Sequence, residues 1–142
     1  MSGTRGARGH KPATGFADLA QFARQARKHA HAPYSKFKVG AALRTRAGEI
    51  VTGCNIENAS YGLTLCAERV AVFKAVSEGL ADFDAVAVVA DSRRLTPPCG
   101  PCRQILWEFC GDIWIRIQDL KGRGKTMRMS ELLPYPFDGR NL

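Results

Sequence analysis

The sequence predicts an α/β fold: a three-layer α/β/α sandwich around a five-stranded mixed sheet whose last two strands are antiparallel. The first observation is the order of patterns along the chain, α-β-β-α-β-α-β-β-α, because helical crossovers make the strands that they connect parallel neighbours. The second is the segment DAVAVVAD (84–91), whose apolar, β-branched character is typical of a strand covered on both faces. The third is the link DLKGRG between the last two strand patterns, which is too short for a parallel crossover and predicts a hairpin.

The first half of the chain predicts one helix and then a hairpin. Apolar residues recur at helical spacing from Phe16 to about Ala30, and Pro33 ends this helix. KFKVGAALRT (36–45) and EIVTGCNIE (49–57) have strand character and are joined by a turn at AGE, so we expect them to pair. NASYG, which follows, is predicted to be a loop.

The second half supplies the remaining elements. LCAERVAVFKAVSE (65–78) predicts a helix, with Thr64 as its N-cap and Gly79 as its stop. After the strand at 84–91, PCRQILWEFC (101–110) predicts a second helix with Pro101 at its first position. IWIRIQDL and KTMRMS are the last two strands, and ELLP (131–134) is a short terminal helical turn.

Length and composition indicate one globular domain. The chain has 142 residues, of which 45% are hydrophobic, and we expect a disordered basic leader at 1–14 and a single domain at 15–142. No apolar run approaches the roughly 20 residues of a membrane span, and the leader lacks the apolar stretch of a secretory signal. Five cysteines in such a chain suggest the reducing cytoplasm, where cysteine more often binds metal or reacts than forms disulfides.

The net charge of +8 raises the question of a nucleic-acid partner. The basic residues are spread along the chain, and neither basic stretch carries the interleaved aromatic residues of a base-stacking platform. Solvated surface charge therefore explains them better than a polyanion site does, and nucleic acid is not expected as a partner. The two basic stretches comprise Arg5, Arg8 and Lys11 in the leader, and Arg116, Lys121, Arg123, Lys125 and Arg128 near the end.

Three cysteines are predicted to lie at helix starts. Cys66 precedes one helix, while Cys99 and Cys102 flank the start of the other. Helix N-termini carry unsatisfied N–H groups and partial positive charge, which favour thiolates. Three converging thiolates predict tetrahedral zinc, and a fourth position left for water is the mark of a catalytic site.

Two residues beside Cys66 complete the predicted chemistry. Glu68 can reach the open position without binding the metal, and would serve there as a general base and then a general acid. Zinc with three thiolates has a formal charge of −1, which opposes ionisation of water at the site. Arg69 could offset this charge by donating hydrogen bonds to a thiolate sulfur.

Other interpretations of the same residues stay open at this point. The Cys-x-x-Cys pair could be a redox motif, Cys54 or Cys110 could close a structural zinc site, and Glu68 could be a solvated helix residue. Cys54 and Cys110 are best explained as buried thiols. The composite pattern C-x-E…P-C-x-x-C is more specific than any of its parts and is a known signature of zinc deaminases.

Beyond this pattern, nearly the whole chain after residue 15 resembles the cytidine deaminases of the small, homotetrameric, three-cysteine type. The motifs that carry the resemblance are PYSKFKVGAAL (33–43), GCNIENASYGLTLCAERVAVFKAVSEG (53–79), PCGPCRQILWEF (98–109) and ELLP (131–134). The resemblance implies the cytidine deaminase fold and the hydrolytic deamination of cytidine and deoxycytidine to uridine and deoxyuridine, with release of ammonia, in pyrimidine salvage. It also implies one Zn²⁺ per chain, a nucleoside substrate, a cytoplasmic homotetramer with shared active sites, and no membrane partner.

Residue roles follow from the same resemblance. A zinc-bound hydroxide would attack C4 of the pyrimidine while Glu68 shuttles protons. Phe37 could instead be plain core, Asn55 could cap a turn, and Phe137 could be an unremarkable exposed side chain. The implied zinc ligands are Cys66, Cys99 and Cys102, and the implied substrate contacts are Phe37 and the Ala67 backbone at the base, Asn55 and Glu57 at the ribose, and Tyr61 from a neighbouring subunit. In the implied tetramer the tail LLPYPFDGR is the candidate for a further wall of the pocket, with Phe137 packing beside the base in a neighbour's site.

Three rival functions are weighed against this prediction. A polynucleotide deaminase of the related type would have a helix between its last two strands, which the link DLKGRG is too short to form. A blasticidin-type deaminase is disfavoured by NIENASYG. A non-catalytic zinc module would leave Glu68 unexplained.

Overall fold

The computed structural model describes residues 15–142, so the expectation of a disordered leader at 1–14 lies outside the described residues. The order of elements in the described part is the predicted one. No helix there is long and apolar enough to span a membrane. The helices are α1 (Phe16–Arg27), α2 (Ala67–Ser77), α3 (Gly100–Cys110) and α4 (Met129–Leu132), and the strands are β1 (Val39–Thr45), β2 (Ile50–Cys54), β3 (Phe83–Ala90), β4 (Trp114–Gln118) and β5 (Gly124–Arg128).

The five strands form one mixed sheet in the order β2-β1-β3-β4-β5. Only β3 and β4 pair in parallel; β1 pairs antiparallel with both β2 and β3, and β4 pairs antiparallel with β5. The predicted terminal hairpin is therefore confirmed. The prediction that strands joined by a helical crossover are neighbours in the sheet is wrong for β2 and β3. Helix α2 connects these two strands, but β1 lies between them, because its apolar sequence suits the interior of the sheet.

Helices cover both faces of the sheet, which confirms the three-layer sandwich. On β3, the side chains of Val86 and Val88 pack with the cluster under α2 and α3, whereas those of Ala87 and Val89 pack with the cluster under α1. This alternation explains why the strand is apolar along its whole length.

Two glycines set the distance between the layers. A side chain at Gly40 would meet the backbone of α1, with its Cβ 1.9 Å from the carbonyl oxygen of Ala23. A Cβ at Gly53 would lie 2.6 Å from the carbonyl oxygen of Ala67 and 2.6 Å from the amide nitrogen of Ala71, both in α2. Glycine at these positions lets each helix approach the sheet more closely than any side chain would allow.

The first helix and both hairpin strands are shorter than predicted. Helix α1 ends at Arg27 rather than near Ala30, because the amides of residues 28–30 bond to carbonyls three residues back and tighten the chain. Strand β1 begins at Val39 because Lys36 has a φ of 61° and takes the preceding residues into a turn. Strand β2 ends at Cys54, and the predicted loop beyond it includes one 3-10 turn at Tyr61–Leu63.

Two helix starts also differ by a few residues from the prediction. Helix α2 begins at Ala67 with Cys66 at the N-cap position, since the hydroxyl of Thr64 accepts instead from the amide of Asn58 at 3.0 Å. Helix α3 begins at Gly100, so Pro101 is its second residue rather than its first. Gly79 has a φ of 81° and follows α2 as predicted.

Candidate active site

A cluster of three thiols lies where α2 and α3 begin. Cys66 and Cys99 hold the N-cap positions of the two helices, and Cys102 lies in the first turn of α3. The Cys66 and Cys99 sulfurs are 3.7 Å apart, those of Cys99 and Cys102 are 3.3 Å apart, and all three lie within 4.8 Å of one another. Sulfurs around a tetrahedral zinc, at Zn–S distances near 2.3 Å, would be about 3.8 Å apart.

Topology explains why these thiols meet. Strands β2 and β3 both run antiparallel to β1, so their carboxyl ends point to the same edge of the sheet. The chain leaves each strand at that edge and enters a helix there, and this is the usual place for ligand sites in open α/β sheets.

The charges of the thiols indicate that the cluster suits a cation. A hydrogen bond from the Cys102 thiol, with further bonds from Arg69 and Cys99, lowers the pKa of Cys66 to about 5. The same hydrogen bond, together with burial, raises the pKa of Cys102 well above its ordinary value. Neighbouring thiols thus resist carrying several negative charges at once, and a divalent metal is what can replace their protons. The donor set and its spacing fit zinc.

Arg69 lies against this cluster, as the sequence analysis expected. Its Nη2 donates to the Cys66 sulfur at 3.5 Å and to the carbonyl oxygen of Thr64 at 3.3 Å. Its Nε is buried and has no hydrogen-bond partner among residues 15–142. The guanidinium therefore places positive charge beside a thiolate, which favours the ionised sulfur.

Glu68 is a buried carboxyl group, only 4% exposed, on the first turn of α2. This burial excludes the alternative of a solvated helix residue. Burial raises the pKa of Glu68 to about 7, and the Cys66 charge adds to the effect, whereas its own backbone amide and Arg69 oppose it. A carboxyl that titrates near neutrality can both accept and donate a proton at physiological pH.

A cavity of about 330 Å³ opens beside the loop between β2 and α2. Thr64, whose carbonyl binds Arg69, is part of its wall and connects it to the thiol cluster. The rings of Tyr34 and Tyr61 stand edge to face with centroids 6.2 Å apart. The lining residues are Tyr34, Ser35, Glu57, Tyr61 and Thr64.

Glu57 lies in this cavity, and its carboxylate holds the neighbouring loop. It accepts from the amides of Tyr34 at 3.0 Å and Ser35 at 3.1 Å, and also from the Ser35 hydroxyl. The hydrogen bond from the Ser35 hydroxyl is the main reason that the pKa of Glu57 is lowered. Glu57 is therefore an ionised acceptor at neutral pH.

Asn55 bridges the backbone on either side of Lys38. Its Oδ1 accepts from the amide of Val39 at 2.9 Å, and its Nδ2 donates to the carbonyl of Phe37 at 2.8 Å. Both polar atoms of its amide thus have backbone partners, which is the turn-stabilising alternative named above. Phe37, 37% exposed, is held at the surface by this bridge rather than buried in the core.

The remaining predicted residues take different positions. Ala67 is fully buried at the first residue of α2, adjacent to Cys66. Tyr61 is 76% exposed at the cavity rim, and Phe137 is 59% exposed in the C-terminal tail, which is not among the cavity-lining segments.

The sequence patterns did not predict Tyr34, Ser35 and Thr64 as parts of the cavity. Tyr34 and Ser35 belong to the motif PYSKFKVGAAL, in which the resemblance implies a role for Phe37 alone. No local signal connects these residues to Glu57, because the contact spans more than 20 positions in sequence.

Together, the helix-start thiols and the buried carboxyl define the class of zinc-dependent hydrolytic enzymes. Comparison with known proteins makes the assignment specific. The family model described as "Cytidine and deoxycytidylate deaminase zinc-binding region" matches residues 17–115. The chain belongs to this family, so the predicted resemblance and the zinc cofactor are confirmed.

Individual relatives agree with the family match. The chain is 52% identical over 119 residues to the cytidine deaminase of Halalkalibacterium halodurans, covering 83% of this chain and 90% of the relative. It is 34% identical over 111 residues to the blasticidin-S deaminase of Bacillus cereus, covering 72% and 79%. The crystal structure of cytidine deaminase from Burkholderia pseudomallei superposes with a TM-score of 0.84 at 42% identity, covering 86% of this chain and 98% of that one.

Proposed function

We propose that the protein hydrolyses the exocyclic amino group of cytidine and deoxycytidine, giving uridine or deoxyuridine and ammonia in pyrimidine salvage. The observation that carries the proposal is the buried carboxyl of Glu68 beside three clustered thiols. It combines a group that moves protons near pH 7 with a metal site. The family match and the cytidine deaminase relatives support the same substrate class.

Cys66, Cys99 and Cys102 would hold one zinc ion per chain. When bound there, zinc would lower the pKa of water so that hydroxide is available at neutral pH. Glu68 takes a proton from the attacking water and delivers it to N3 of the pyrimidine. It then takes the second proton of that water from the new hydroxyl group on C4 and passes it to the exocyclic nitrogen. The C4–N bond breaks, ammonia leaves and C4=O remains. Burial excludes bulk water from this carboxyl and keeps its affinity for protons high enough for both transfers.

The cavity would receive the nucleoside. Ionised Glu57 can accept hydrogen bonds from ribose hydroxyls in addition to those from the loop that it holds. Asn55 acts on the same region by fixing the backbone of Phe37, whose exposed ring can pack on the base. The backbone of Ala67 would contact the base edge, and Tyr61 would contribute to a neighbouring subunit's site.

The proposed enzyme is cytoplasmic, and its catalytic unit is the domain at residues 15–142. All five cysteines are free thiols, as a zinc–thiolate enzyme of the reducing cytoplasm requires. The family match starts at residue 17, which supports a deaminase domain at 15–142 that does not need the leader for catalysis.

Loss of absorbance on incubating cytidine with the purified, zinc-containing protein tests the proposal directly, alongside a metal count. Blasticidin S and a single-stranded oligonucleotide serve as competing substrates. We expect turnover of cytidine, because the β4–β5 hairpin lacks the helix expected of polynucleotide deaminases. Preferential turnover of either competitor would contradict the proposal.

Arg69→Gln is expected to lower kcat/KM for cytidine about 10- to 100-fold at pH 7, with a smaller loss of zinc affinity. Arg69 lowers the pKa of Glu68, so its removal should raise that pKa and protonate more of the base at neutral pH. The acidic limb of the pH–rate profile should therefore move to higher pH, with partial recovery of activity there. Arg69→Lys, which keeps the charge, is the matched control and should shift the limb less. An unchanged profile in Arg69→Gln would contradict the electrostatic role.

Exposed apolar residues support the self-association that the proposed homotetramer requires. Phe73 and Val76, one turn apart on α2, are each 39% exposed, and Phe73 stacks edge to face on Phe109 of α3. The tail adds the exposed rings of Tyr135 and Phe137. Apolar surface of this kind is typical of protein interfaces.

Phe137→Ala is expected to raise KM for cytidine several-fold while the protein stays folded. The ring is 59% exposed, so its removal costs little packing within the chain. In the proposed assembly it packs beside the base in a neighbour's site. Steady-state kinetics with light scattering measures both effects, and Leu142→Ala, which truncates a 97% exposed tail residue, is the control. A fully active monomer, or an unchanged KM in the variant, would contradict shared sites.

A further inference from the structure

The C-terminal tail after α4 is fastened to α3 by side chains one helical turn apart. Nε1 of Trp107 donates to Oδ2 of Asp138 at 2.8 Å. Nε2 of Gln104 donates to the carbonyl oxygen of Phe137 at 2.8 Å. Residues three apart lie on the same face of a helix, so one face of α3 forms hydrogen bonds to two consecutive tail residues.

Asp138 is the centre of this fastening. Its side chain is 13% exposed although it lies four residues from the end of the chain. Besides Trp107, it accepts from the backbone amide of Arg140 at 2.9 Å and from the Arg140 guanidinium at 2.6 Å. These bonds, with that from Arg140 first, lower the pKa of Asp138 well below its usual range. The carboxylate is therefore charged at neutral pH and joins the terminal turn to α3.

The path of the tail before Phe137 is also constrained. Arg103 donates to the carbonyl of Leu132 at 3.0 Å and to the carbonyl of Pro98 at 2.8 Å, just before Cys99. Tyr135, between two prolines, has a φ of 54° in the left-handed region and lies in a bend of the chain. The tail is thus fixed at both ends to the helix that carries two of the clustered thiols.

The ring of Phe137 does not share in this fastening. Its backbone carbonyl is bonded to Gln104, yet 59% of the residue is exposed. A polar latch that leaves the neighbouring aromatic ring in solvent does little to bury apolar surface. Its effect is to fix the backbone of Phe137, and so the place on the surface from which the ring projects.

We infer that Trp107, Gln104 and Asp138 form a latch that positions Phe137 for substrate binding. They are positioning residues, since they act through Phe137. The inference rests on the proposed function, in which that ring packs beside the base. Because the latch orders this part of the tail before the substrate binds, less conformational entropy is lost on binding.

Trp107→Phe tests the latch by removing one N–H while keeping an aromatic side chain. We expect KM for cytidine to rise about five- to tenfold, as for the loss of a typical intramolecular hydrogen bond, with kcat within twofold. Trp114→Phe is the matched control: the Nε1 of Trp114 is buried without a hydrogen-bond partner in the described structure, so KM should not change.

A double-mutant cycle with Phe137→Ala separates positioning from general destabilisation. If the latch acts through the ring, Trp107→Phe should add little to KM in the Phe137→Ala background. Additive effects of the two substitutions would overturn the inference. So would a KM for Trp107→Phe equal to that of the wild type.

Chymotrypsin cleavage after the exposed Phe137, where the next residue is Asp138 rather than a proline, gives a readout that does not depend on activity. The latched wild-type tail should be cut more slowly than that of Trp107→Phe or Asp138→Ala, whereas Trp114→Phe should match the wild type. Equal rates in all four proteins would overturn the latch itself. If the wild type fails to deaminate cytidine but the cleavage rates differ as expected, the proposed function fails while the latch stands.

Discussion

Glu68→Gln is expected to lower kcat for cytidine by about 10²- to 10⁴-fold while the protein keeps one zinc per chain. The amide has nearly the size of the carboxylate but cannot take a proton from water. The thiols of Cys66, Cys99 and Cys102 are unchanged, so metal content should be preserved. Steady-state kinetics and elemental analysis of the same preparation measure both quantities.

The direction in which Glu68→Gln changes the stability of the protein can also be predicted. Folding raises the pKa of Glu68 from 4.5 to about 7. The free energy of unfolding therefore falls as the pH rises from 4.5 to about 7, because the buried carboxyl resists ionisation. Gln carries no such cost. Thermal unfolding at pH 8 should therefore show Glu68→Gln at least as stable as the wild type.

Glu78→Gln is the matched control, because Glu78 is an exposed carboxylate at the other end of α2. Its activity and zinc content should equal those of the wild type. If Glu68→Gln loses zinc, Glu68 is a ligand rather than an acid–base group. If it retains full activity, the proton-transfer role is wrong.

Gly53→Ala is expected to destabilise the fold by roughly 1–3 kcal/mol and to weaken zinc binding. The new Cβ would lie 2.6 Å from backbone atoms of Ala67 and Ala71, so α2 must move away from β2. Backbone cannot yield as a flexible side chain can. Since Cys66 caps this helix and Glu68 lies in its first turn, the shift also moves the site.

Urea unfolding and zinc titration of Gly53→Ala measure the two effects separately. Gly139→Ala, where a Cβ meets nothing within 4 Å, should leave both unchanged. Gly40→Ala clashes with α1 on the opposite face of the sheet, so it should destabilise the protein without changing the zinc affinity of the folded fraction. Wild-type stability and zinc affinity in Gly53→Ala would show that α2 does not depend on this close approach.

The order of the elements, the fold class and the chemistry of the metal centre could be predicted from the amino-acid sequence alone. Hydrophobic periodicity is local, so it predicts helices and strands wherever one face of each is buried. The short link before β5 allows only a hairpin. The composite of Cys66, Glu68, Cys99 and Cys102 could be interpreted because each residue type has a specific role in zinc chemistry and each lies at a predicted helix start.

Contacts between groups that are distant in sequence could not be predicted and became known from the three-dimensional structure. The insertion of β1 between β2 and β3 depends on the packing of the whole sheet, and the contact of Glu57 with Ser35 spans 22 positions. The pKa of Glu68 depends on burial contributed by several elements. The bond from Trp107 to Asp138 joins residues 31 positions apart. Burial, close approach and long-range hydrogen bonds depend on atoms that are distant in sequence, and no local pattern encodes them.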